Sequence, residues 1–491
     1  MAAENNISIY QDYEGILSPL RTRQKKYDQF YANRQYSNKE RAKLRSIGLK
    51  PLVINICRPL LAQQLSILVS SRPTWKVVPL RGADKNLAGL IERYLVGKWN
   101  SDYIDIQYEL AAKDQLIVGC GFLMVDLANI LDDAVFDFKI KHVSYKYVYP
   151  DPNAVEYDLS DAENIIIAKK VGIKYAQVAF QLSEADVKTV SDIDSDSQQV
   201  TIIDRFSKYP VERIEWQPKK DRDGSMPHLK YESMPPSVFY SSKLENKVEA
   251  ERKKWIKELE SLRSNDVVEL KNLKDLNIYR CLSVGQHTAY EGIMNIRAYP
   301  VISFIDEIGA SFKELNGETV FIEGMQEIIN KFYMLTIHNA MLTGNTRYLA
   351  EETTISDKTQ FQRTSSIPGA VVTYKGRADL PDGGRPQQMQ STPLASAFYN
   401  LANDLMQKAE YETSVFAPSQ GNPKGSPETF STVASLQNFA GQRISRLARR
   451  NDIMLSKVGE VCIQFIQNYT DENELLTYVD DKQLTDEGTI N

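Results

Sequence analysis

The side chains able to do chemistry are few in this chain, and they do not converge. Its four histidines, His142, His228, His287 and His338, stand far apart, with no HExxH or HxH spacing. A metal pair on one helix needs two ligands about one turn apart, so these read as surface or ordinary core histidines. No Walker A, GxSxG or GxGxxG stretch occurs. GCG at 119–121 and DGG at 382–384 fit turns better than phosphate cradles. The run DIDSD (192–196) offers carboxylates to a divalent ion, but it lacks the glycine and terminal glutamate of a calcium loop, so an acidic surface loop is the simpler reading. Cys57, Cys120, Cys281 and Cys462 form no CxxC pair, which argues against a zinc ribbon or disulfide scaffold and for a reducing compartment. No catalytic residue, metal ligand or cofactor is expected.

The densest fixed charge lies in SPETFSTVASLQNFAGQRISRLARRND (426–452), where Arg443, Arg446, Arg449 and Arg450 fall within eight positions. In helical projection Val433, Ala440, Ile444, Leu447, Val458, Cys462 and Phe465 form an apolar stripe. Arg443, Arg446, Arg450 and Lys457 form a second stripe, roughly a quarter turn away. Three roles stay open for the arginines: pairing with acids of another surface, meeting phosphates, or lining a solvated face. The guanidinium fork, which grips carboxylate or phosphate with two bonds, favours the first two. Lys424 is the one basic side chain of the Pro/Gly loop FAPSQGNPKG (416–425). Read by itself it is a solvent-facing loop lysine.

The elements that must position these groups come from a chain of 491 residues, with 59 Lys+Arg against 64 Asp+Glu and a net charge of −5. Apolar content of 42% and charged content of 25% are globular values, and the length suits two to four structural units. The acidic balance argues against a domain that grips DNA by wholesale phosphate neutralisation. Charge is uneven, however: residues 1–50 hold ten Lys/Arg and five Asp/Glu, whereas 471–491 hold one Lys and seven Asp/Glu. These ends are interaction surfaces or simply solvated. No signal peptide is expected, and no run of about 18 apolar residues suggests a membrane span.

Residues 16–46 read as partly helical. Asn55 is placed to cap a helix carrying Ile56, Leu60, Leu61, Leu65 and Leu68, which ends at Pro73. Asp84 starts a longer helix to about Ile117, and GCGFLMVDL (119–127) turns into a strand paired with VFDFKIKHV (135–143). VYPDPNA (148–154) is a turn, NIIIAKKV (164–171) a strand and YAQVAFQLS (175–183) a short helix. VTIIDRFSKY, VERIEWQP, LNIYRCLSV and YPVISFIDE (299–307) continue the β pattern, around a charged helix at 242–264. Residues 320–344 are helical, with Met325, Ile328, Ile329, Phe332 and Leu335 as one stripe. Residues 346–392 are irregular, PGAVVTYKG being the best strand. A helix at 393–414 places Phe398, Leu401, Leu405 and Met406 on one side, and a last helix runs from Ser426 to about Tyr469.

The order of these stretches resembles the portal proteins, or head-to-tail connectors, of tailed bacteriophages, in a podophage-like form. The likeness rests on the helix from Asn55 into RPTWKVVP, then VGCGFLMVD, VYPDPNA, YPVISFIDEIG, ETVFIEGMQEIINKFYMLTIHNA and the helix of 426–469. It covers about residues 50 to 470. The resemblance implies an α+β portal fold: a mixed α/β wing, a two-helix stem, a small clip and a long wing helix, assembled as a ring. By order of motifs, 1–318 is the N-terminal part of the wing, with 242–264 as an insertion. Residues 319–344 and 393–414 are stem helices, 345–392 the clip and 415–428 the tunnel loop. The long wing helix and tail occupy 429–491, with no large crown.

The same resemblance implies a dodecameric ring at one capsid vertex of the virion, through which double-stranded DNA is packaged and ejected. It is expected to be non-catalytic, without membrane contact, and present in the host cytoplasm during assembly. Its partners are then the terminase large subunit, the major capsid and scaffolding proteins, and head-completion or tail adaptor proteins. Lys424, Gln420 and Asn422 are expected at the tunnel loop. Arg443, Arg446, Arg450, Met325, Phe332, Phe398 and Leu405 are expected between subunits, and Arg363, Lys375 and Arg377 where motor or adaptor docks. Each stem stripe packs either inside one monomer or against the next subunit. The rivals are a metal-dependent nucleic-acid-processing enzyme and another kind of capsid or tail structural protein.

Overall fold

The computed structural model describes residues 2–70, 73–79, 85–127, 138–180, 182, 199–218, 257, 268–344, 347–351, 353–355, 357–364, 373–376, 378–379, 384–389, 397–413 and 430–469. Two compact units emerge. One joins Met1–Lys25, Gln63–Thr319 and Asn438–Asn491, and the other joins Lys26–Ala62 and Val320–Gln437. The chain is mixed α/β, as expected. Residues 26–62, read as wing in the sequence, group with the 320–437 segment instead.

In the first unit, β1 (Cys120–Leu127) lies between β2 (Phe138–His142) and β8 (Val301–Ile305), antiparallel to both. The expected hairpin is there, with Val125 opposite Ile140. On its other edge Leu123 faces Ile302, a pairing across a sequence distance that local pattern cannot show. A second antiparallel sheet runs in the order β3 (Val148–Pro150), β4 (Asn164–Gly172), β5 (Gln199–Pro218), β6 (Val268–Val284) and β7 (His287–Met294). The two expected pieces VTIIDRFSKY and VERIEWQP are one strand, because β6 pairs with it from Ile202 opposite Val284 to Pro218 opposite Val268. The short helix α6 (Ile173–Phe180) covers one end, burying Ala176 against Val200 and Val284. The charged helix expected at 242–264 lies outside the described residues, Lys257 apart.

The single long helix expected from Asp84 to Ile117 is two, α4 (Lys85–Ser101) and α5 (Ile104–Val118). Tyr103 breaks it with a left-handed φ of 51°. Side chains hold the break: Lys98 pairs with Asp102 at 3.3 Å, and Trp99 Nε1 donates to Asp105 at 2.8 Å. Gly119 then ends α5 with φ 91°, where other residues are strained. Gly121 serves a different need. A Cβ there would lie 1.9 Å from the Ala111 carbonyl oxygen, so only glycine lets β1 run this close to α5.

One buried cation joins the two sheets. Arg280 on β6 is 3% exposed; its Nε and Nη2 donate to the two carboxylate oxygens of Asp204 on β5, at 2.9 and 2.7 Å. Its Nη1 reaches Asp126 on β1 at 2.9 Å, and Lys141 on β2 meets the other Asp126 oxygen at 3.1 Å. Against the pull of burial, Arg280 and Lys141 hold the Asp126 carboxyl below its usual range.

The helices α1 (Ala2–Tyr31) and α3 (Cys57–Leu68) run through the division between the units, and α2 (Asn38–Ser46) lies wholly in the second. Residues 2–15 belong to α1, which the polar sequence did not suggest. Asn55 acts as expected: its Oδ1 accepts the Arg58 N–H at 3.1 Å, while its Nδ2 donates to the Phe30 carbonyl at the end of α1. The extended run before α3 is held by α7 (Thr319–Gly344). Gln326 Oε1 accepts from Ile56 N at 2.8 Å, its Nε2 donates to Ile54 O at 2.7 Å, and Asn330 Oδ1 accepts from Ile54 N at 2.9 Å. These bonds explain why 26–62 joins the later segment. Beyond α7, β9 (Arg347–Leu349) pairs with β10 (Gln387–Met389), and α8 (Lys358–Thr364) starts on an Asp357 cap. The strand expected in PGAVVTYKG is absent from its described part, 373–376. The helices α9 (Ala397–Glu412) and α10 (Phe430–Tyr469) complete the chain.

Arg280→Ala leaves two carboxylates buried without their fork, so unfolding by denaturant, followed by circular dichroism, should show a loss of about 3–5 kcal/mol. Gly121→Ala should cost about 1–3 kcal/mol by forcing β1 off α5, read as a lower melting temperature in the same assay.

Candidate subunit interface

Helix α7 is built with its amphipathy partly reversed. Facing its own unit are Ile322, Gln326, Ile329, Asn330 and Met334, all buried. The two polar ones are tolerated because each finds backbone or amide partners. Turned to solvent are Phe321, Ile328 and Leu335, at 38%, 40% and 43% exposure, with Ile337 and Met341 also exposed. Met325 and Phe332 are half-buried between them. Phe321, Met325, Ile328, Phe332 and Leu335 are spaced 4, 3, 4, 3, the rhythm of an a/d seam that packs on another helix. The sequence reading put Ile329 in this stripe. The structure turns it inward and admits Phe321, a change the heptad rhythm alone would have shown.

Helix α9 contributes less. Ala402, Ala409 and Thr413 are buried, Leu405 and Met406 half-buried, and Leu401 exposed. Phe398 lies in α9, but its side chain is outside the described residues.

On α10 the expected apolar stripe is buried wherever it is described: Ile444, Leu447, Val458, Cys462 and Phe465. Two long-range contacts fix it. Asn451 Nδ2 donates to Gln115 Oε1 at 2.9 Å and to the Tyr108 hydroxyl at 3.1 Å. Trp75 Nε1, from RPTWKVVP, donates to the Leu455 carbonyl at 2.8 Å, and its ring lies 3.3 Å from where a Gly459 Cβ would stand.

The expected basic stripe is divided. Arg450 Nη1 donates to the Asp306 carbonyl at 2.5 Å and its guanidinium lies over Tyr157, 5.0 Å from the ring centre. Lys457 pairs with Asp158. Both charges are met inside their own unit, and both side chains stay partly exposed. Arg446 is exposed, and the Arg443 side chain lies outside the described residues.

Of the other expected site residues, Arg363 and Lys375 are described. Arg363 on α8 is exposed, and so is Lys375, whose backbone N–H donates to Thr354 O at 2.8 Å. Gln420, Asn422, Lys424 and Arg377 lie outside the described residues, as does DIDSD. His142 bonds Asp114 at 2.9 Å. Among the described residues no group of three or more His, Cys, Asp or Glu is placed to hold a metal, and no helix is long and apolar enough to cross a membrane. The four cysteines are free and buried, and burial pushes the Cys57 and Cys120 thiols up to about 12, well away from reactivity.

What the described residues assemble here is an exposed apolar row on α7, with no group of metal-ligating side chains beside it. No curated protein matches the chain. The model of the phage P22-like portal protein family matches residues 10–491, nearly its whole length. That family is structural: its members form rings at the capsid vertex and interact with capsid and terminase. The chain thus belongs to the phage P22-like portal protein family, and its function is that of a phage portal, the channel through which DNA is packaged into the capsid.

Proposed function

We propose that the portal ring is a dodecamer closed in part by the α7 seam, with α7 and α9 as the stem. The observation that carries this is the exposed rhythm of Phe321, Ile328 and Leu335 on a helix whose opposite face is already buried. A helix with two occupied faces suits a ring, where each copy packs inward on its own unit and sideways on its neighbour. Met325, Phe332, Phe398 and Leu405 belong to this contact in the proposal. Arg446 adds a charged contact, with Arg443 beside it, and Arg450 is withdrawn to an internal role.

In the same reading 345–392 is the clip, and Arg363, Lys375 and Arg377 meet the terminase large subunit or a tail adaptor. Residues 415–428 are the tunnel loop, with Lys424, Gln420 and Asn422 toward DNA. The first unit together with 429–491 is the wing, and 26–62 travels with the stem. Scaffolding and major capsid proteins surround the ring during assembly in the host cytoplasm, and head-completion proteins follow. DNA leaves by the same channel on ejection. The weak charge of the stem and clip supports passage over grip: 318–343 carries one basic and three acidic residues, and 346–392 six basic and five acidic.

Ile328→Glu with Leu335→Glu should leave the subunit folded, since both side chains are already exposed, and abolish closed rings. Native mass measurement with negative-stain averages reads this: rings of wild-type size would overturn the seam. Arg446→Ala should weaken the ring less. Lys424→Ala should alter packaging efficiency or DNA retention; unchanged values for both remove Lys424 from the channel.

A further inference from the structure

Nothing among the described residues accounts for how basic helix α2 is. It buries no residue. Lys39 and Lys43 stand one turn apart on one side, and Arg41 and Arg45 one turn apart on the other, so like charges repel twice along a nine-residue helix. Arg34 precedes it and Lys50 follows, giving 34–50 six basic residues and one acid. Among the described residues none of the six pairs with a carboxylate. The one acid, Glu40, is occupied by the capping box that starts the helix: it accepts the Ser37 N–H at 2.7 Å while Ser37 Oγ accepts the Glu40 N–H at 3.2 Å. At the end of the helix Arg45 joins Gly48, Leu49, Lys50 and Pro51 in lining an open hollow of about 360 Å³, two of its five residues being cations.

A local rule broken this consistently calls for a compensating partner, and the side chains specify its kind. Protein interfaces have apolar or aromatic centres and are poor in lysine. This helix carries no aromatic residue, and its cations point to both sides. Nucleic-acid backbones are met by polar, strongly basic surfaces whose exposed lysines and arginines neutralise phosphates.

We propose that α2, with Arg34 and Lys50, is a sequence-independent contact for the phosphate backbone of double-stranded DNA, separate from the tunnel loop at 415–428. That the polyanion is duplex DNA rests on the portal function; the site does not depend on which helices form the stem. Exposed side chains make such a contact salt-labile and free to slide, so it slows DNA without arresting it.

The test is binding of a labelled 30-base-pair duplex of random sequence to the full-length protein, by fluorescence anisotropy across a salt series. The variant is Lys39→Gln/Arg41→Gln/Lys43→Gln/Arg45→Gln. Removing four cations should lower the slope of log K against log salt by about 3 to 4 and weaken binding at low salt by on the order of tenfold or more. The pair Lys39→Gln/Lys43→Gln should show about half that slope change, and serves if the fourfold variant fails to fold. Lys39→Arg/Lys43→Arg should bind as wild type. An unchanged slope in the Gln variants overturns the proposal. So does equal or tighter binding of a polyglutamate peptide, which would make the partner an acidic protein. Particle mass, measured on the same samples, separates this outcome from any failure of the ring seam.

Discussion

Arg280 is the buried side chain through which the two sheets of the first unit are tied together. The unit's strands form two sheets with separate hydrogen-bond ladders, and each sheet could satisfy its own backbone without the other. The guanidinium fork spans them, holding Asp204 with two bonds and Asp126 with a third. Such a group adds little net stability over a well-packed apolar replacement, since three charges must leave water. Its contribution is geometric. The fork accepts few arrangements, so it fixes how β1 meets β5 and β6 and, through β1, where α5 and α10 can lie.

The second unit meets a different constraint. Among the described residues helix α7 buries Gln326 and Asn330 on one face and leaves Phe321, Ile328 and Leu335 exposed on another. In an ordinary globular helix the buried row would be the apolar one, so the reversal is what the proposed ring contact accounts for.

Much of this was legible in the sequence, and the reasons for the rest are specific. The β1–β2 hairpin, the Asn55 cap, the α7 helix and the apolar stripe of α10 follow from spacing and capping that act within a few residues. The pairing of β8 with β1 and the fork of Arg280 act across long chain separations, and nothing in VISFI or IYRCL announces them. The break at Tyr103 was hidden because a tyrosine in left-handed conformation has no sequence signature, whereas a glycine would have shown it. Arg450 and Lys457 looked like partners of Arg446 because they share its helical face; which of them turns inward depends on Asp306 and Asp158, far away in the chain. Helix α2 was visible only as surplus charge, and its lack of burial needed coordinates.

The join between α7 and residues 54–57 has a further consequence. It is made by primary amides and backbone groups, none of which gains or loses a proton in the biological range. Ions in solution have no net charge there to screen. Salt and acidity therefore act on the surface cations and the ring contacts and leave this joint alone. A portal subunit serves at a capsid vertex, beside packed nucleic acid and its counterions, and in that medium the grip between α7 and the start of α3 is unaffected.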